Sequence, residues 1–79
     1  MAEDLVLYMM PTCPYCQKVL RFMAKHDIQL DQRNILADPA ALEQLETVGG
    51  KHQVPCLFIN GKPLYESDDI IAYLEKTFC

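Results

Sequence analysis

Leu5 to Met9 is an unbroken apolar run that stops at Pro11-Thr12-Cys13-Pro14. A helical pattern starts at once. From Tyr15 to Lys25 the apolar positions are Cys16, Val19, Leu20, Phe22, Met23 and Ala24, with Gln17, Lys18, Arg21 and Lys25 between them. A short apolar run bounded by proline suits a strand buried on both faces. The spacing behind it suits an amphipathic helix, which His26-Asp27 closes. The chain therefore opens as strand, turn and helix, and the turn carries the thiols of Cys13-Pro14-Tyr15-Cys16. At the start of a helix, unpaired N–H groups and the positive end of the macrodipole favour a thiolate at Cys13. Cys16 follows about one turn later, within reach of a mixed disulfide formed on Cys13. That is the minimum equipment for thiol–disulfide exchange.

The rest of the chain continues the alternation. Ile28, Leu30 and Ile35 alternate with polar residues, which predicts a strand over Ile28 to Asn34 with one wet face. Asp38-Pro39 reads as an N-cap with proline at the first helical position. That helix is expected to run to about Val48, where Gly49-Gly50 stops it. Val54 to Ile59 reads as a strand with its proline at the start. Asn60-Gly61 is a two-residue hairpin signal, and Lys62 to Tyr65 is the return strand. Ser67 is expected to cap a last helix whose apolar stripe is Ile70, Ile71, Tyr73, Leu74 and Phe78. The order β-α-β-α-β-β-α predicts an α/β fold with a mixed four-stranded sheet. No linker, internal repeat or low-complexity segment interrupts it, so residues 1–79 are expected to form one domain.

Composition narrows the function classes. A formal net charge of −4 lacks the basic footprint that nucleic acid requires. No apolar run approaches the ~20 residues that span a bilayer. Met1-Ala2-Glu3-Asp4 lacks the basic n-region of a signal peptide. The cysteines Cys13, Cys16, Cys56 and Cys79 do not form the pattern of a secreted disulfide scaffold. A cytoplasmic monomer is expected, with no membrane partner. A structural zinc site would need four ligands, and no second close Cys or His pair exists.

The Cys-Pro-Tyr-Cys turn behind a strand, Val54-Pro55 entering a hairpin, and Asp68-Asp69 at a helix start resemble the glutaredoxins, of the dithiol type, over roughly Leu5 to Phe78. The second half, with Gln53-Val54-Pro55, Tyr65-Glu66-Ser67 and Ile70 to Leu74, is also similar to the N-terminal domain of glutathione transferases. The resemblance implies the thioredoxin fold; with no second Cys or His pair, no metal is expected. It also implies an oxidoreductase that uses glutathione to reduce protein disulfides and glutathionylated proteins.

On the same basis, Cys13 is the exposed nucleophile and Cys16 the more buried resolving thiol. The peptide bond before Pro55 is cis, and the Val54 backbone pairs with glutathione like a short extra strand. Glu66, Ser67 and Asp68 bind the γ-glutamyl end, with the helix N-terminus facing its carboxylate and Glu66 or Asp69 its ammonium. Gln53 or Lys51 reaches the glycine carboxylate, and Tyr15 flanks the sulfur. His52 is a candidate neighbour. Many glutaredoxins carry lysine three residues before the nucleophile, where this chain has Met10.

Two other functions share these motifs. One is a redoxin dependent on thioredoxin reductase, which would lack the glutathione pocket. The other is a [2Fe–2S] carrier, which Pro14 disfavours. Cys56, on a buried strand, is expected to be a small core hydrophobe. Cys79, the terminal residue, is expected to be frayed and open to intermolecular disulfides. A helix-end position suits a solvated His26.

Overall fold

In the computed structural model, which describes residues 4–51 and 53–78, β1 (Leu5–Met9) lies inside a four-stranded sheet. It pairs in parallel with β2 (Asp31–Asn34) and antiparallel with β3 (Cys56–Ile59). The strand β4 (Lys62–Tyr65) forms the other edge, antiparallel to β3. The helices are α1 (Pro14–Lys25), α2 (Pro39–Gln44) and α3 (Ser67–Phe78).

Strand alternation divides the core in two. Leu7, Met9 and Leu57 point to the face covered by Val19 and Met23 of α1 and Ile70 and Leu74 of α3. Tyr8, Cys56 and Phe58 point to the opposite face, covered by Ala41 of α2 and by Leu45. The central strands are therefore apolar at consecutive positions, as expected of strands buried on both sides.

Local chemistry accounts for most element ends. Asp38 caps α2, its carboxylate accepting from the Ala40 and Ala41 N–H groups at 3.1 and 3.4 Å. Asn60 and Gly61 both take positive φ, 52° and 84°, as a type I′ turn requires. Asn60 also holds the start of β1, its N–H donating to the Asp4 carbonyl and its Oδ1 accepting from the Asp4 N–H.

Four boundaries differ from expectation. The second strand begins at Asp31, not Ile28. Asp27 adopts φ 54°, the Ile28 N–H donates to the Met23 carbonyl and the Asp27 N–H to the Ala24 carbonyl. This is the Schellman pattern, so Ile28 ends the helix and is not available to start the strand. α2 gives way after Gln44 to a π-helical turn, Leu45–Gly49, before Gly50 stops the helical path at φ 84°. β3 begins at Cys56 because Pro55 has no N–H to give the ladder. Ser67 is not a cap: it lies in the first turn of α3, and Glu66 precedes the helix at φ 73°. The Val54-Pro55 bond is cis. His52 and Cys79 lie outside the described residues. No helix among the described residues is long and apolar enough to cross a membrane.

Candidate active site

The dithiol turn is held by backbone bonds on both sides. The Cys13 N–H donates to the Met10 carbonyl at 3.1 Å, and the Gln17 N–H donates to the Cys13 carbonyl at 3.0 Å. Gln17 Nε2 reaches back to the Pro11 carbonyl at 2.8 Å. Cys13 occupies the N-cap of α1 with extended backbone (φ −82°, ψ 123°), and its side chain makes no capping bond. Pro14 is the first helical residue, where a missing N–H costs nothing. Cys13 is half-buried, not exposed as expected, and Cys16 is fully buried at 0 % exposure. Both are free thiols.

Their chemistry differs because their surroundings differ. Burial pushes the Cys16 thiol up to about 12, partly offset by the Met10 N–H, which donates to its sulfur at 3.4 Å. Contact with Cys13 also favours protonated Cys16. Cys16 is therefore a neutral thiol near pH 7.

Beside this turn lies an open cavity of about 440 Å³. Tyr15 of α1 lines one side, and Gln53, Val54 and Pro55 come from the loop entering β3. Glu66, Ser67 and Asp68 close it at the start of α3. The pairing of β1 with β3 and of β3 with β4 brings these distant segments together. The Ile70 N–H bonds the Glu66 carbonyl at 3.0 Å, so the preceding N–H groups of α3 have no intrahelical acceptor.

Two expected ligands are not in the cavity wall. Asp69, although on the first turn of α3, does not line it. Lys51 is also absent, and its ammonium lies 5.3 Å from the centroid of the Tyr65 ring. One polar contact escaped the sequence reading: Lys18 of α1 forms an ion pair with Asp68 of α3. Lys18 follows Tyr15 by three positions and shares its helix face, which is the only local sign of this contact. Among the described residues, no three His, Cys, Asp or Glu side chains converge as a metal site.

The glutaredoxin family model matches residues 5–64. The chain belongs to the glutaredoxin family. It is 33% identical over 72 residues to the hybrid peroxiredoxin hyPrx5 of Haemophilus influenzae, covering 90% of this chain and 29% of that protein. Its fold matches oxidised glutaredoxin 2 of Chlamydomonas reinhardtii with TM-score 0.68 and 28% identity, over 96% of this chain and 75% of the other. It also matches the Omega 3C glutathione transferase of Trametes versicolor with TM-score 0.80 and 26% identity, over 99% of this chain and 35% of the other. The thioredoxin fold is thus shared with the glutaredoxins, which nearly the whole chain resembles, and with the glutathione transferases, which its second half resembles.

In this chain, Tyr65 ties the cavity loop to β4. Its hydroxyl donates to the Lys51 carbonyl at 3.2 Å, two residues before Gln53. A Cβ on Gly49 would overlap the Tyr65 hydroxyl oxygen. Gly49→Ala is accordingly expected to destabilise the fold by about 1–3 kcal/mol, because the rigid ring has to move. Urea unfolding checks this, and the cost is expected to shrink in a Tyr65→Phe background, where the overlapping oxygen is gone. An equal cost in both backgrounds would refute the overlap as its cause.

Proposed function

We propose that this glutaredoxin-family protein is a glutathione-dependent thiol–disulfide oxidoreductase acting through Cys13 and Cys16. The observation that carries the reading is the unequal pair of thiols beside an open cavity: Cys13 partly accessible at a helix start, Cys16 fully buried.

For a glutathionylated protein, the Cys13 thiolate attacks the glutathione sulfur of the mixed disulfide. A Cys13–glutathione disulfide forms, and the protein leaves as its thiolate. A second glutathione attacks that disulfide, so glutathione disulfide is released and the Cys13 thiolate returns. For a protein disulfide, Cys13 attacks one sulfur and the other leaves as thiolate. Cys16 then attacks the Cys13–substrate bond, giving up its proton to the departing thiolate, and Cys13–Cys16 forms. Two glutathiones reduce it. Burial suits Cys16 to this second step, since a neutral thiol does not compete for the first attack.

Glutathione would lie in the cavity with its cysteine against Val54-Pro55, its γ-glutamyl end at Glu66, Ser67 and Asp68, its glycine carboxylate towards Gln53, and Tyr15 beside the sulfur. The proposed setting is a reducing cytoplasm, where glutathione keeps thiols reduced. An assay with glutathione reductase and NADPH on a glutathionylated peptide tests the reading, and turnover is expected. Turnover only with thioredoxin reductase would reject it.

Met10 is half-buried against the α2-side core, and its N–H serves Cys16. Its side chain brings no cation to the site. Met10→Lys is expected to lower the glutathione concentration needed for half-maximal rate by about two- to fivefold, the scale of one exposed charge pair. An unchanged or higher requirement would refute a role for charge at this position.

A further inference from the structure

The cavity has two walls of separate origin. Gln53, Val54 and Pro55 form one, in a stretch that is neither helix nor strand. Glu66, Ser67 and Asp68 form the other, where α3 begins. Tyr65 joins them without lining the cavity itself. It directly precedes Glu66, and its hydroxyl donates to the carbonyl of Lys51, two residues before Gln53. The Lys51 ammonium lies 5.3 Å from the centroid of the same ring, so Lys51 meets Tyr65 through both backbone and side chain. The ring is itself held in place. Tyr65 pairs with Cys56 across β3 and β4 and packs, half-buried, on the α2-side core. Its hydroxyl takes the space that a Cβ on Gly49 would occupy.

We infer that Tyr65 is a positioning residue that holds the two cavity walls at the separation glutathione needs. The inference rests on the glutathione reading above and adds a residue outside the cavity that governs how well the tripeptide is held. A stretch with no ladder or helix to fix it loses conformational freedom when a ligand settles on it, and that loss weakens binding. A hydrogen bond from the rigid ring on β4 orders the stretch beforehand. Without the hydroxyl the ring still packs, but the Lys51 carbonyl turns to water and the Gln53-Val54-Pro55 wall is released. A ligand that touches both walls feels this change. A ligand that only reaches Cys13 does not, because the dithiol turn is held by its own bonds between Met10 and Gln17.

Tyr65→Phe tests the tie, built on a Cys16→Ser parent so that reaction stops at the Cys13 adduct. Two disulfides are compared. Glutathione disulfide offers peptide to both walls, and bis(2-hydroxyethyl) disulfide offers none. In each reaction the Cys13 thiolate attacks one sulfur, a Cys13 mixed disulfide forms, and the other half leaves as thiolate. Acid quenching and mass spectrometry give the rate constants. Each is divided by the rate of N-acetylcysteine with the same disulfide, which removes the difference in leaving group. Tyr65→Phe is expected to slow the reaction with glutathione disulfide about fivefold, the scale of one hydrogen bond. With bis(2-hydroxyethyl) disulfide the change is expected to stay within about twofold. Equal slowing of both reactions, the mark of a general structural defect, would overturn the tie, and so would no slowing of either. A parent that reacts no faster with glutathione disulfide after the correction would instead reject the glutathione reading, and the inference would fall with it.

Discussion

Cys13→Ser is expected to reduce turnover by at least about a thousandfold on both glutathionylated peptides and protein disulfides, the scale seen when a nucleophile is removed. A serine hydroxyl is not ionised near neutral pH and does not form a mixed disulfide, so neither reaction begins. Cys16→Ser is expected to separate the two. Reduction of the glutathionylated peptide persists within a few-fold of wild type, because glutathione itself resolves the Cys13 adduct. Reduction of a protein disulfide is lost, because Cys16 is the group that displaces the substrate. The split follows from geometry: Cys13 is accessible at the N-cap of α1, and Cys16 is enclosed below it. Rates measured with glutathione reductase and NADPH check both arms. Retained activity in Cys13→Ser would overturn the assignment of the nucleophile.

Alkaline instability is the second large effect. An ordinary cysteine ionises near 9.0, whereas burial holds Cys16 at about 12 and Cys56 at about 11 in the folded protein. Above pH 9 the unfolded chain releases these protons and the folded chain keeps them. Rising pH therefore favours unfolding. The stability is fully present below pH 9, and the loss stops growing above about 11 for Cys56 and about 12 for Cys16. Each thiol costs about 1.4 kcal/mol per pH unit within its window. Both thiols act in the same direction, so their effects on stability add. Tyr65, whose phenol burial also raises, acts in the same direction above pH 10.0. Urea midpoints measured under reducing conditions are expected to fall steeply from pH 9 to 11, and Cys56→Ala to roughly halve the slope. A flat midpoint over that range would refute the burial argument.

Much of this site was legible before the fold. The turn carrying Cys13 and Cys16, the Asp38 cap and the Asn60-Gly61 hairpin are all recognised from residues within a few positions of one another. Backbone geometry and nearby hydrogen bonds decide them. The element ends that moved did so for equally local reasons, visible only in detail: the Schellman closure at Ile28 and the missing donor at Pro55.

By itself, then, the sequence determined the order of strands and helices, the position of the dithiol at a helix start, and a glutaredoxin pattern over most of the chain. Tertiary structure decided which residues meet. Cys56 follows the cavity residue Pro55 directly, yet it points into the α2-side core, while Cys16 belongs to the α1–α3 side. Both faces of β3 are apolar, so the residue pattern carries no sign of which face each side chain takes. Lys18 meets Asp68, fifty positions away, and Gly49 leaves room for the Tyr65 hydroxyl, because the sheet pairing folds distant segments onto each other. Lys51 and Asp69 stand outside the cavity wall for the same reason. Such contacts depend on the path of the whole chain, and no local pattern encodes them.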